Sequence, residues 1–258
     1  MGIYLIYFAC LKLRFPDVEV NPGPRRAAPK KCRILYSNIR GLSANKDDLA
    51  VASVHYDVLL CAETLVSNRR HLSELHIPGF GRPICSLRGS LPRSRGLSMY
   101  VRDGFCAFRQ AKYECKCCEM QIVRVCGSRN NFYLFSCYRN PDLHDGIFDC
   151  LLTAMATIQS EDSKASFLVI GDFNAKHREW LNSGITDNHG VAALNFATVA
   201  GCTQLVTEST HVAGNVLDLV MTDVPDLTRV AVQAPLGSSD HSSLAIVLST
   251  AQAFQVFV

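Results

Sequence analysis

Phe167-Leu168-Val169-Ile170-Gly171-Asp172-Phe173-Asn174 joins four consecutive apolar residues to a glycine and two polar side chains. A run this short, rich in β-branched and aromatic residues, reads as a buried strand. Gly171 permits a sharp bend, so that Asp172 and Asn174, two positions apart, point into the same space. The pattern recurs along the chain. Ile34-Leu35-Tyr36 leads to Ser37-Asn38, Val58–Ala62 to Glu63, and Phe132–Phe135 to Tyr138-Arg139-Asn140-Pro141. Val216-Leu217-Asp218-Leu219-Val220 carries an acid inside, and Ser239-Asp240-His241 precedes Leu244–Leu248. Buried strands need cover, and the cover is legible as well.

Ile147, Leu151, Met155 and Ile158 follow helical spacing behind Asp142 and Asp145, whose charges suit a helix N-terminus. Leu49, Ala52 and Tyr56 predict a helix between Asn45 and Tyr56, and Val191 to Ala200 another, closed by Gly201. Further strands are expected at Leu97–Val101, Cys106–Gln110 and Met120–Val125. No fixed-period repeat and no linker interrupts this order, so one α/β domain is expected over residues 32–249, with a basic arm at 25–31 and a C-terminal tail at 250–258.

Composition agrees. The 258 residues are 48% hydrophobic and 19% charged, which supports a real core and excludes intrinsic disorder. Lys and Arg number 26 against 23 Asp and Glu, so any grip on nucleic acid must be local. Mean hydropathy is +0.11, yet no apolar run approaches the roughly 18 to 20 residues of a membrane span. Twelve cysteines lie scattered without repeated spacing, the pattern of free thiols in a reducing compartment. Cys115-x-Cys117-Cys118 with Cys126 lacks a flanking histidine, so thiols on a strand pair are expected there rather than a zinc site.

Carboxylates, carboxamides, a tyrosine and a histidine at strand ends suit a hard cation and a phosphate ester. Glu63 is the candidate metal ligand; its bland alternative is an exposed strand-end glutamate. Asp218 sits between leucines, and an unpaired buried carboxylate costs several kcal/mol, so it needs a partner. His241 is the economical choice, since a carboxylate on one ring nitrogen fixes the tautomer and leaves the other for phosphate. His211 competes for that place. The histidines at 55, 71, 76, 144, 177 and 189 are read as surface or loop residues.

Taken together, Ser37-Asn38, Ala62-Glu63-Thr64, Tyr138-Arg139-Asn140-Pro141, Gly171-Asp172-Phe173-Asn174, Leu217-Asp218-Leu219 and Ser239-Asp240-His241 resemble the ordered motifs of the endonuclease/exonuclease/phosphatase superfamily. Asn174-Ala175-Lys176-His177, Trp180 and Thr210-His211 resemble, within it, the apurinic-type endonuclease of non-LTR (LINE-like) retrotransposons. The resemblance implies a four-layer α/β sandwich, two packed, mainly antiparallel or mixed β-sheets flanked by helices. It implies an Mg²⁺-dependent phosphodiesterase, with Mn²⁺ as the alternative ion, that nicks double-stranded DNA and leaves a 3′-hydroxyl to prime reverse transcription. By motif, Glu63 binds the metal with Asn38 and Asp240 in support, and Asp172 positions and activates the attacking water or serves the leaving oxygen. Asn174 and Tyr138 hold the phosphate, while Asp218 and His241 stabilise the pentacovalent transition state. The partners implied are DNA and a reverse transcriptase domain or element RNA from a longer frame. Two alternatives stay open: a superfamily phosphatase acting on a soluble or lipid phosphate, and a degenerate copy that binds nucleic acid without cutting.

Arg82, Arg88, Arg93, Arg95 and Arg102 punctuate a Gly/Pro/Ser-rich stretch that could lie on the DNA backbone or be a plain solvated loop, with Arg40 and Arg139 as further DNA-binding candidates. At the other end, Met1 to Phe15 is almost entirely apolar and stops at Pro16. Asp17, Glu19, Asn21, Pro22, Gly23 and Pro24 then resemble the D-x-E-x-N-P-G-P ending of viral 2A-type ribosome-skipping peptides, with an apolar strand and proline turn as the bland alternative. The Gly-Pro junction fits such a role because proline is a constrained secondary amine and glycine ahead of it permits unusual backbone geometry. Residues 1–24 are therefore expected to stay out of the core. Synthesis in the cytoplasm and action in the nucleus are expected, in preference to secretion through the apolar leader.

Overall fold

The computed structural model describes residues 30–68, 74–91, 93–142, 146–180, 185–250 and 253–256. The leader, the ribosome-skipping motif and most of the basic arm lie outside the described residues, as do His71 and His144.

Among the described residues, twelve strands form two six-stranded sheets. The first sheet contains β1 (Lys31–Asn38), β2 (Val58–Ala62), β3 (Ile84–Ser86), β4 (Leu97–Val101), β11 (Thr228–Pro235) and β12 (Ser242–Ser249) in the order β11-β12-β1-β2-β4-β3. The second contains β5 (Ala107–Arg109), β6 (Glu119–Cys126), β7 (Asn131–Tyr138), β8 (Ala165–Asp172), β9 (Thr203–Gln204) and β10 (Asp218–Thr222) in the order β5-β6-β7-β8-β10-β9. Each sheet has one parallel pair, β1 with β2 and β7 with β8, among antiparallel neighbours. A parallel pair requires a crossover. Helix α1 (Lys46–Ala52) lies in the first crossover and α2 (Ile147–Glu161) forms the second, while α3 (Asn188–Val199) packs beside α2.

The central strands β2, β8 and β10 are buried throughout, and β7 beyond Asn131, as apolar runs covered on both faces must be. Ile34, Tyr36 and Leu60 from the first sheet meet Leu134, Phe135 and Ile170 from the second in one core, which continues to Ile147, Leu151 and Phe196 of the helices. Leu35, Leu59 and Tyr100 face the other way and form a second cluster with Leu49 of α1. The result is the four-layer α/β sandwich, two mixed sheets between helical layers.

The expected helix at Asn45 to Tyr56 ends at Ala52 and finishes in a 3₁₀ turn at Ser53–His55; the third runs Asn188–Val199. Segment 253–256 returns to the core, with Phe254 buried against Phe105 and Phe132 at ring-centroid separations of 5.8 and 5.6 Å. Strands β3, β9 and β11 escape a sequence reading because they are short or, in β11, alternate toward solvent at a sheet edge. Gly171 serves a purpose other than bending: a Cβ there would lie 2.2 Å from the Cys137 carbonyl oxygen across the β7–β8 ladder. The thiol expectation also needs correction. Cys115 and Cys117 precede β6 rather than sitting on a strand pair, and Cys126 at the far end of β6 is not their neighbour; Cys150 of α2 is.

Candidate active site

Strand register assembles the site. Glu119 pairs with Tyr138, Tyr138 with Asp172, and Asp172 with Asp218, so four polar residues stand in one row across β6, β7, β8 and β10. Residues in register share a face. This row faces the ends of β1 and β2, where Asn38 and Ala62 are in register and Glu63 follows.

Asn38 is the bridge between the sheets. Its Nδ2 donates to Asp172 Oδ2 at 2.9 Å and to Glu63 Oε1 at 3.3 Å. Ser239 fixes the Asn38 backbone by donating to its carbonyl at 2.6 Å, and the same hydroxyl accepts the His241 N–H at 3.1 Å. Asp218 has two partners: His241 Nδ1 at 2.8 Å and the buried Tyr36 hydroxyl, which donates to Oδ1 at 3.1 Å. Thr210 Oγ1 accepts the backbone N–H of Leu217 and Asp218, holding the start of β10 in place. His241 thus wins the competition for Asp218. His211 packs edge-on to it at 4.9 Å and approaches Asp240 at 3.5 Å.

With Nδ1 committed to Asp218, His241 directs Nε2 to within 3.9 Å of both Asp172 Oδ2 and Asp240 Oδ1. Burial alone would lower the His241 pKa; hydrogen bonding and attraction from Asp218, then the charges of Asp172 and Asp240, raise it to about 9. Asp172 moves the same way, to about 8, through burial first and the Asp218 charge second, against lowering by His241, Asn174 and Asn38. Burial and the negative charges of Glu63 and Asp172 push the Tyr138 phenol well up, so its hydroxyl stays a donor. Asp240 is held below its usual value, because hydrogen bonding and attraction from Arg40 outweigh its partial burial.

Glu63 and Asn174 have φ of 50° and 45° respectively, left-handed values that L-residues adopt at a cost and that cluster at functional sites. Asn174 is fixed by donation from Nδ2 to the Arg139 carbonyl at 2.9 Å, and its backbone N–H donates to Asp172 Oδ1 at 3.0 Å. The donor set fits a hard divalent cation: among the described residues, Asn38 Oδ1 and Asp240 Oδ1 are buried oxygens without a hydrogen-bond partner. Glu63, the expected ligand, is buried rather than an exposed strand end.

The arginines divide. Arg95 belongs to the site, its guanidinium holding Glu63 Oε2 through Nη2 at 2.9 Å and Nε at 3.1 Å. Arg40 is exposed and pairs with Asp240, and Arg93 is exposed beside Asp142. Arg82 and Arg88 are exposed in the loops bordering β3. Two others are engaged within the fold. Arg139 is buried and donates through Nη1 to the Asn140 carbonyl at 2.9 Å. Arg102 stacks on Phe80 at 4.6 Å and donates to the carbonyls of Ser53 and Tyr56, a clip between the end of β4 and the α1 segment. His177, expected at the surface or in a loop, lies in a loop, buried, and packs against Trp180 at 5.0 Å.

Sequence reading missed Tyr36 and Glu119. Tyr36 hides inside an apolar run. Glu119 begins a strand instead of ending one, but β6 is antiparallel to β7, so its first residue reaches the same rim as Tyr138. There it accepts the backbone N–H groups of Gly96 at 2.6 Å and Arg95 at 3.0 Å, and burial raises its pKa to about 7.

Residues 132–245 match the family described as endonuclease-reverse transcriptase. No curated protein matches the chain. Among solved structures, the endonuclease domain of TRAS1, a telomere-specific non-LTR retrotransposon, is similar with TM-score 0.65 and 18% identity, covering 85% of this chain and 98% of that one. The AP endonuclease LMAP from Leishmania major has TM-score 0.66 and 11% identity over 86% of this chain and 88% of its own. A 3′-5′ exonuclease from Neisseria meningitidis has TM-score 0.58 and 14% identity over 84% and 100%. The chain thus has the fold of these nucleases, and its residues 132–245 are similar to the endonuclease-reverse transcriptase family.

Proposed function

We propose that the protein is a divalent-cation-dependent DNA endonuclease of a non-LTR retrotransposon. It nicks one strand of double-stranded DNA in the nucleus and leaves a 3′-hydroxyl from which a reverse transcriptase copies element RNA. The observation that carries this reading is the convergence of Asn38, Glu63, Asp172, Asp218 and His241 on one rim, with Asn38 tying the two sheets together. The pairing of endonuclease with reverse transcriptase in the matching family's description, and the likeness to a retrotransposon endonuclease domain, support the retrotransposon setting.

Glu63, Asn38 and Asp240 would hold the ion, Mg²⁺ before Mn²⁺, since one or two carboxylates with further oxygen donors suit that cation. When bound, the ion neutralises phosphate charge and lowers the pKa of a water. The protein's own groups do the rest. His241 is a cation at neutral pH, oriented by Asp218, and its Nε2–H donates to charge building on a phosphate oxygen. Tyr138 and the remaining amide hydrogen of Asn174 hold the phosphate, and Asp172 orients the attacking water or the leaving oxygen. Positioning and electrostatics of this kind are most of what phosphate-ester cleavage requires.

The test incubates the full chain with supercoiled plasmid and Mg²⁺, with and without chelator. Conversion to open circle only with Mg²⁺, and direct extension of the nick by a polymerase, is the expected result. Asp172→Ala and His241→Ala should each lower the rate by about 10²–10⁴-fold. Binding without nicking would establish a degenerate copy, and hydrolysis of inositol phosphates with plasmid intact would establish a phosphatase.

A further inference from the structure

At the Glu119 end of the polar row, outside the proposed catalytic groups, four thiols meet. The sulfurs of Cys115, Cys117, Cys118 and Cys150 all lie within 4.8 Å of one another. Cys115 Sγ is 2.6 Å from Cys117 Sγ and 2.8 Å from Cys150 Sγ, and Cys117 Sγ is 3.3 Å from Cys150 Sγ. All four cysteines are free. The backbone N–H of Cys117 points at Cys115 Sγ from 3.4 Å, a donor that stabilises a thiolate rather than a thiol. The four come from two separate segments: three from the loop before β6, and Cys150 from the first turn of α2.

We infer that these cysteines form a closed tetrathiolate site for Zn²⁺. Four sulfurs within 4.8 Å of one another can reach one tetrahedral ion; metal–sulfur bonds of about 2.3 Å would spread the closest pairs to roughly 3.8 Å, and all-sulfur tetrahedral sites take zinc or iron. Zn²⁺ binding exchanges four S–H protons for four Zn–S bonds, with the protons released to solvent and no electron transferred. The product carries two negative charges, part of which Lys116, lying between two of the ligands, offsets. With four protein ligands no position is left for substrate, so the site is structural.

Its place in the fold gives that structural role a purpose. Lys112 and Tyr113, just ahead of the cysteines, both bind Glu161 at the C-terminal end of α2, while the thiols bind its first turn. The loop is therefore fastened along the helix at both ends. Cys118 is followed directly by Glu119, whose carboxylate fixes the backbone of Arg95 and Gly96 beside Glu63. Zinc at this point would anchor the start of the polar row without touching the reacting atoms.

The full chain, purified in reducing buffer without chelator, should contain about one equivalent of zinc. Co²⁺ reconstitution should give the sulfur-to-metal charge-transfer and tetrahedral ligand-field bands of a tetrathiolate site. Cys117→Ser/Cys150→Ser should lose both metal and bands. Glu63→Gln should keep them, which separates this site from the proposed catalytic one. A strong zinc chelator should lower the melting temperature of the native protein, a readout that does not depend on the cysteine variants folding. The inference is overturned by a folded native chain without zinc, by iron in its place, by zinc retained in the double cysteine variant, or by an intact mass under non-reducing conditions that reveals disulfides among the four.

Discussion

Asp172 and Asp218 stand directly opposite each other in the antiparallel β8–β10 ladder, both buried, and the molecule tolerates the pair by giving each a different cation or donor. Asp218 receives His241 Nδ1 and the Tyr36 hydroxyl, and Asp172 receives Asn38 Nδ2 and the Asn174 N–H. Like charges this close cannot both ionise freely, so the raised Asp172 pKa follows from burial and from this neighbour.

Asp218→Asn keeps the shape and removes the charge that orients and protonates His241. Plasmid nicking should fall by about 10²–10⁴-fold, with the His241 limb of the pH–rate profile displaced toward lower pH. An unchanged profile would mean that His241 does not act through Asp218.

Stability should fall as pH rises. The His241 pKa is raised to about 9 in the folded state, so its contribution is complete below the unfolded value of about 6.5 and is lost as pH passes through about 9. Asp172 and Glu119, raised to about 8 and about 7, also bind more protons folded than unfolded and add the same sign from roughly pH 4 upward. Melting temperature measured in chelator from pH 5 to pH 9 should decline, and His241→Gln should flatten the upper part of the curve.

Tyr36→Phe leaves one oxygen of a fully buried carboxylate without its donor. The variant should lose about 1–3 kcal/mol in denaturant unfolding at neutral pH. A neutral result would mean that Asp218 recovers a donor from water.

Gly171→Ala inserts a methyl 2.2 Å from the Cys137 carbonyl oxygen, where backbone rather than a pliable side chain must move. Separation of β7 from β8 should cost about 1–3 kcal/mol or more and disturb the Tyr138–Asp172 register, lowering both melting temperature and nicking.

Residues 1–24 translated between two reporters should yield separate products, and Pro24→Ala should fuse them. A fused band from the native sequence would mean that the D-x-E-x-N-P-G-P match is coincidental.

Strand-end motifs and helical spacing were enough to place the second crossover helix, most central strands and the carboxylates, because burial writes itself locally as apolar runs and a polar residue inside or beside such a run is conspicuous. The need of Asp218 for a partner was equally local: a carboxylate among leucines cannot be left alone. What the sequence could not decide was which residues meet across strands and sheets. Register put Glu119, Tyr138, Asp172 and Asp218 in one row, and sheet packing brought Tyr36 to Asp218 from 182 positions away. The same reason explains the arginines and the thiols. Arg95 and Arg139 look alike as candidate DNA contacts, yet one holds Glu63 and the other is buried; Cys150 joins three cysteines 32 to 35 positions earlier only because α2 lies along the loop before β6. Such contacts are fixed by topology and chain closure rather than by neighbours in sequence, and only the tertiary structure contains them.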